Sequence, residues 1–600
     1  MQTTKERRIN YSIWIMAAIS FLLLVIRSRY GFSYDDEPFL LTLTQRLYYG
    51  DSLFIDEWNF AQNVGVLLLP FYRIYIAIFG SVDGIVLVFR GVYCFFWVLT
   101  CTILYSVLRK KYKMAWVVYL YLLMFSPLDQ MILSYTSIGL MCILLLGTLF
   151  FRHLEVNPMK LWSFTLLFSG LTIIAVIASP YLGFAYGLYV LGIIVFALRK
   201  RTESARFFMK SALWSVGIAV FALVLYVWRF MLNNYTIAEV VEKLPNMFAT
   251  SSMGTNVTSR GTSLLRRVAE FWRYQFFIAG LTFLVTLVPR IRKSTICRVA
   301  LLSANVLVFG YEMLLQLGSK GGIPNFNLQM IPIIILGYVA WWLLEEKKRE
   351  RNLFVIYSVL GLCYAAVSYV SSDTGLPALA MGLTVCGVCA IVMIGELTKE
   401  LIAAIRNGNE FARERSGRRM TGLYAGFVMA LAIAVILSQL FVQFYLKIDR
   451  HYWDCSVPEM NAKITMGASK GVVTLEKRAA SYDERMEALA QLLQYVDMEE
   501  KENIRFLSLI FDPDVYANAE LPIGCYSTWT YAKTETAWPR VQDKMNRYYS
   551  VNPSKMPNVV FVSLIQDWDV APMPDIDITN FAEFSYGDYA IYIAPELIKE

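Results

Sequence analysis

The sequence predicts a polytopic α-helical membrane protein carrying a small α/β unit at its C-terminal end, and three observations predict it. Of 600 residues, 57% are hydrophobic and only 17% are charged. Apolar runs near the roughly 20 residues that a bilayer-spanning helix needs recur along most of the chain. From Leu446 onward the net charge is −9, whereas the preceding part carries +17, an asymmetry that marks a separate module.

Apolar stretches run at 10–26, 84–108, 114–126, 131–151, 161–179, 181–198, 211–232, 270–289, 298–318, 328–344, 353–371, 376–396 and 420–446, which gives about thirteen transmembrane helices. Pro127 and Pro180 lie between short neighbours and either separate two helices or break one. Loop charges orient these spans. Lys5, Arg7, Arg8, Arg109 to Lys111, Arg199 to Arg201, Arg290 to Lys293, Lys347 to Arg349 and Arg413 to Arg419 mark cytoplasmic segments under the positive-inside rule. The alternate loops are nearly bare of Lys and face out. An odd number of spans then places the N-terminus in the cytoplasm and the C-terminal unit outside a cell membrane.

Two stretches lie between the first spans. Val64 to Phe79 is apolar but short, and Pro70 and Arg73 interrupt it, so it reads as a helix lying in the interface rather than a crossing. Phe39 to Tyr49 sets Phe39, Leu40, Leu43 and Leu47 on one side and Thr42, Gln45 and Arg46 on the other, which fits a second interfacial helix. Residues 27–83 form one large outward loop on this reading. The membrane domain covers 1–445 and the extracytoplasmic unit 446–600. In that unit Tyr482 to Gln494 has helical spacing, while Ile504 to Ile510, Val559 to Leu564 and Asp588 to Ile593 read as strands. It has no Gly-rich phosphate loop, so nucleotide chemistry is not expected.

Several chemistries are disfavoured. The chain has two His, His153 at a cytoplasmic helix end and His451 at the outer interface, which is poor material for a His-rich metal site or a Ser-His triad. Most of the nine Cys lie in apolar spans and read as small hydrophobes. Cys386 and Cys389 have CxxC spacing, but in an apolar helix without a second pair they read as packing. Cys455 and Cys525 fall in the outer unit and are free to pair in an oxidising space. A cleavable leader is not expected, because the first apolar segment lacks a small-residue cleavage site and is followed by Arg27 and Arg29.

The acids Asp35, Asp36 and Glu37 stand directly after the first span, in Gly31-Phe32-Ser33-Tyr34-Asp35-Asp36-Glu37-Pro38. One reading is a charged stop that ends the helix; the other is a set of proton acceptors at the membrane boundary, where an enzyme acting on a lipid headgroup needs one. Downstream follow Tyr49-Gly50-Asp51, Asp56-Glu57-Trp58-Asn59 and Gly80-Ser81-Val82-Asp83-Gly84 leading to Phe89-Arg90. This arrangement resembles the first extracytoplasmic loop of GT-C glycosyltransferases. More narrowly, it is similar to the bacterial relatives of protein O-mannosyltransferases and aminoarabinose transferases. The matching motif spans roughly residues 30–95, and the order of spans and the outer C-terminal unit are consistent with a GT-C-like fold over the whole chain.

The resemblance implies transfer of a sugar from a polyprenyl-phosphate donor to a lipid, glycan or protein acceptor at the outer face, with inversion at the anomeric centre. The acid pair of that family maps onto Asp36 and Glu37, which implies Asp36 as the general base with Glu37 in support; Asp35 is an extra acid that leaves the mapping open by one residue. Such chemistry also needs a cation for the departing phosphate. Arg90 lies inside the second span, where an unpaired charge is costly, so it faces a polar cavity, a phosphate or an acid in a structural ion pair. Lys320 in Gly318-Ser319-Lys320-Gly321-Gly322 and Arg260, with Arg266 and Arg267 nearby, are further phosphate candidates. Asp129 is either a second acid or a solvated cap. No metal-ligand motif is present, and a divalent cation remains open because relatives differ in using one. Nucleic acid is not expected as a partner. The main alternative is a transporter or lipid flippase, which would usually show paired broken helices in two related halves; no such repeat is visible. A scaffold that binds through the outer unit would use Tyr526 to Trp529 and their aromatic surroundings, which more often form core.

Overall fold

The computed structural model describes residues 4–33, 36–123, 125, 131–200, 202–249, 272–318, 330–346, 349–371, 376–407, 457–529, 538–565 and 573–599. The apolar part folds into helices α1 (Thr4–Ser28), α2 (Asp36–Tyr48), α3 (Val64–Phe79), α4 (Ile85–Leu108), α5 (Ala115–Leu123), α6 (Tyr135–Phe151), α7 (Leu161–Ala178), α8 (Leu182–Lys200), α9 (Glu203–Tyr226), α10 (Ile237–Ala249), α11 (Arg273–Thr286), α12 (Thr295–Gly318), α13 (Met330–Leu343), α14 (Arg351–Ser371) and α15 (Leu376–Asn407). Among the described residues ten helices are long and apolar enough to cross a bilayer. The chain is a multi-pass helical membrane protein. Nine of the ten coincide with expected runs. The runs at 114–126, 270–289 and 328–344 fold as the shorter helices α5, α11 and α13, and the run at 420–446 lies outside the described residues.

The tenth such helix is Phe60–Phe79, longer and more continuous than the interrupted stretch expected. Pro70 sits inside α3 on an exposed face, and Arg73 is exposed as well. Both ends of α3 meet the same C-terminal unit. Before it, the Trp58 amide donates to the Tyr526 carbonyl at 2.8 Å; after it, the Val82 amide donates to the Glu520 carboxylate at 3.1 Å and the Gly84 amide to the Gly467 carbonyl at 2.9 Å.

Small residues let the inner helices close on one another. A Cβ at Gly382 on α15 would stand 2.1 Å from both the Ala365 nitrogen and the Gly361 oxygen of α14, so backbone packs on backbone there. Helix α15 is the most enclosed of the spans, its stretch Val385 to Met393 buried without interruption.

The C-terminal unit holds a hairpin of β1 (Ala462–Lys463) with β2 (Val473–Thr474), helices α16 (Glu476–Leu492), α17 (Pro513–Ala519) and α18 (Trp538–Val551), and strands β3 (Phe506–Ser508), β4 (Val559–Ser563), β5 (Ala582–Tyr586) and β6 (Tyr589–Ile593). The four-stranded sheet runs β3-β4-β6-β5, with β3 parallel to β4 and the other pairs antiparallel. The three expected strands are β3, β4 and β6. The half-exposed edge strand β5 was not expected, nor was the short hairpin. The hairpin loop docks on the membrane part: the Val86 amide donates to the Ala468 carbonyl at 3.1 Å, and Tyr30, just past α1, pairs with Val473.

Candidate functional site

The first turn of α2 sits where α1, α4 and the C-terminal unit converge. Glu37 is 3% exposed and Arg90 2%, and they form a two-pronged ion pair: Arg90 Nε donates to Glu37 Oε1 at 2.6 Å and Nη2 donates to Oε2. The same guanidinium donates to the carbonyl of Ser28 at 2.6 Å, an oxygen left over at the end of α1, and to that of Gly31, three residues further on, at 2.9 Å. Arg90 therefore ties the exit of α1 to the entry of α2. The fork geometry suits arginine, whose planar donors match a carboxylate. Asp36, one residue before Glu37, is half-buried.

The structure joins Glu37 to Arg90, and Asp36 precedes Glu37 in the first turn of α2. Asp35, Asp129, Arg260 and Lys320 lie outside the described residues, as do Arg266, Arg267, His451 and Cys455. Cys525 is buried with a free thiol. Cys386 and Cys389 are buried in α15 with thiol contacts to neighbouring carbonyls and to Ser358, as packing residues would be.

A second polar centre was not legible in the sequence. The residues Thr42, Gln45 and Arg46, placed on the polar side of α2, meet the C-terminal unit rather than water. Thr42 shares a 2.6 Å hydrogen bond with Thr528, and Gln45 donates to the Tyr516 carbonyl at 3.1 Å. Arg46 lies 3.0 Å from Asp51 and 3.4 Å from Glu57, and it donates to the carbonyls of Asp56 and of Cys525, the latter at 2.7 Å. Lys555 pairs with Asp51 and stands 3.7 Å from Asp56. Tyr235, just ahead of α10, donates to Asp56 at 2.8 Å, and the Ser52 amide donates to its other oxygen at 2.7 Å.

Three carboxylates thus face Arg46 and Lys555 inside a buried junction, with Lys544 close to Glu57. Burial pushes the Glu57 carboxyl up to about 7, with Arg46 opposing. Asp56 moves up for the same reason, with Lys555 opposing. Burial lowers Lys544, which sits 4.6 Å over the Tyr526 ring. The loop's acids were visible as Asp51, Asp56 and Glu57, but their cations come from α2 and from a position 504 residues beyond Asp51. Among the described residues, no three His, Cys, Asp or Glu side chains gather as a metal-holding group.

No protein-family model matches the sequence, and no curated protein matches it either. Among solved structures, the fold aligns with the crystal structure of ArnT from Cupriavidus metallidurans bound to undecaprenyl phosphate, over 98% of this chain and 99% of that chain, at 11% identity and a TM-score of 0.48.

Proposed function

We propose that this protein is a GT-C-type membrane glycosyltransferase that moves a sugar from a polyprenyl-phosphate donor to an acceptor hydroxyl at the outer face of a cell membrane. One observation carries the reading: two successive acids open α2 at the rim of the bundle, and they have different surroundings. Glu37 has both oxygens engaged by Arg90, whereas Asp36 is half-exposed. In this reading Asp36 takes the proton of the acceptor hydroxyl as its oxygen attacks the anomeric carbon. The bond from that carbon to the phosphate oxygen breaks, and the polyprenyl phosphate leaves with the electron pair. Glu37 and Arg90 hold the base in place. With its donors turned on Glu37, Ser28 and Gly31, Arg90 is read as a positioning residue, and Lys320 and Arg260 as the cations for the departing phosphate.

The orientation belongs to the same reading. The basic loops place the N-terminus in the cytoplasm and the C-terminal unit outside. A unit outside the bilayer cannot touch both ends of a crossing helix, and contacts at both ends of α3 therefore support an interfacial α3, leaving residues 27–83 as one outer loop. The experiment measures transfer of labelled sugar from polyprenyl-phosphate donors in liposomes by the full-length protein and Asp36→Asn. A loss of about 10²-fold or more is expected on removing a general base. Transfer at the unaltered rate by Asp36→Asn overturns the assignment.

A further inference from the structure

We propose that the outer ends of α11 and α12 form a binding site for the hydroxyls of a glycosyl group, built on Trp272, Gln275 and Glu312. In naming a sugar as the ligand, this deepens and rests on the transfer reading above. The two helices share a polar seam. On α12, Arg298, Asn305 and Glu312 recur at seven-residue spacing and are 3%, 0% and 2% exposed; on α11, Gln275 and Thr282 repeat the spacing and are 0% and 1% exposed. Seven residues are two helical turns, so each set lies on one face.

The inner part of the seam is mostly paired, Arg298 Nε and Asn305 Oδ1 excepted. Arg298 pairs with Glu400 of α15, Asn305 Nδ2 donates to Thr282 at 2.8 Å, and Trp342 Nε1 donates to Thr286 at 2.8 Å. The outer part is not. Glu312 Oε1 accepts the amides of Tyr274 at 2.8 Å and Gln275 at 3.1 Å, but its Oε2 has no hydrogen-bond partner. Both amide atoms of Gln275, the indole N–H of Trp272 and, two turns further in, Asn305 Oδ1 also lack partners, though each residue is at least nine-tenths buried. Leaving such groups unpaired in a low-dielectric setting is unfavourable.

Their chemistry selects the ligand. The first-turn amides of α11 bond the Glu312 carboxylate, and the positive end of that helix together with Arg273 offsets its charge. The free oxygen is therefore an acceptor suited to an O–H donor. Gln275 offers a donor and an acceptor side by side, and Trp272 offers a donor from the residue before the first turn. A ring bearing adjacent hydroxyls, each both donor and acceptor, meets this set, whereas an aliphatic chain leaves it unpaired.

The test uses full-length protein in nanodiscs and ligand-detected saturation-transfer measurements. The probes are octyl β-D-glucoside, octyl β-D-galactoside, octyl β-D-mannoside and methyl β-D-glucoside, with octyl tetraethylene glycol as the sugar-free control. Saturable binding of at least one glycoside that the control does not displace is expected, weakened about tenfold in Gln275→Leu and Glu312→Gln and about fivefold in Trp272→Phe. Equal affinity for methyl and octyl glucosides marks a free sugar as the source; binding of octyl glycosides alone marks a lipid-linked one. Absence of saturable binding to every glycoside overturns the proposal, as does unchanged affinity in the variants, which would mean that water alone fills the site. Trp272→Phe removes one N–H and little volume, so it carries the test should Gln275→Leu fail to fold. Asp36→Asn is expected to bind glycosides normally while losing transfer. Retained transfer in Asp36→Asn with intact glycoside binding sinks the catalytic reading alone.

Discussion

Arg90 reaches back from α4 to grip Glu37 with two prongs while its remaining bonds close the end of α1. The pair is buried, so its two members are unequal to their mutants in a predictable way. Removing one partner of a buried pair leaves an uncompensated charge, at a cost of about 3–5 kcal/mol. Arg90→Met is expected to lower thermal stability strongly. Glu37→Gln/Arg90→Met, which removes both charges, is expected to recover most of that loss. Thermal unfolding in detergent checks it, and a double variant as unstable as the single one contradicts the ion-pair account.

The same pair separates positioning from proton transfer. If Asp36 is the base, Glu37→Gln keeps the volume and one acceptor and should lower transfer by roughly tenfold, well short of the Asp36→Asn loss. The rate against pH should keep its shape in Glu37→Gln. A vanished acid limb in Glu37→Gln with a normal one in Asp36→Asn reverses the two roles.

Packing of the inner helices gives a prediction independent of chemistry. Gly382 meets the backbone of Ala365 and Gly361, whereas Gly91 has nothing within 4 Å of its Cβ position. Gly382→Val is expected to force α14 and α15 apart and to cost about 1–3 kcal/mol or more, while Gly91→Ala stays near neutral. Size-exclusion profiles and melting temperatures distinguish them. Equal behaviour of the two variants refutes the close crossing.

What the sequence made legible follows the reach of each interaction. Long apolar runs specify spans locally, and nine of the thirteen are full-length helices here. Strands β3, β4 and β6 were readable because they are nearly continuously apolar. Strand β5, Ala582-Glu583-Phe584-Ser585-Tyr586, lies at the sheet edge and is largely exposed, so its pattern is diluted. The Asp36–Glu37 pair was visible as a cluster, but the division between them depends on Arg90, which is 53 positions away from Glu37. The Arg46 junction was hidden more deeply. Amphipathicity identified a polar side on α2 but not whether water or protein would cover it.

That junction should hold the C-terminal unit to the membrane part. Arg46 bridges Asp51 and Glu57 from α2 and bonds the Cys525 carbonyl. Arg46→Met leaves these buried acids facing one another, with Lys555 beside Asp51 and Lys544 near Glu57 as the remaining cations. A destabilisation of about 3–5 kcal/mol is expected. Hydrogen exchange should rise first in α2 and in the segment around Cys525. Exchange that rises uniformly over the whole chain, or not at all, argues against a junction of this kind.

The junction should also respond to pH, in a direction that can be worked out. Burial raises Glu57 from an ordinary 4.5 to about 7 against the opposing pull of Arg46, and Asp56 moves the same way against Lys555. The groups facing them are Arg46 from α2, Asp51 in the loop, Tyr235 ahead of α10, and Lys544, Tyr548 and Lys555 from the C-terminal unit. A carboxyl whose folded value is raised keeps a proton that the unfolded chain has already released, so folding takes up protons between about 4.5 and 7. Its contribution is fully present below 4.5 and is lost as pH rises through 7, a change on the order of 3 kcal/mol for Glu57. Exchange protection at the interface of α2 with the C-terminal unit should therefore be greater at pH 6 than at pH 8. Glu57→Gln, which mimics the protonated acid, should flatten most of that difference and leave Asp56 to supply the remainder. A pH dependence of unchanged size in Glu57→Gln, or protection that increases toward pH 8, would show that the excess acid of the junction is not carried by Glu57.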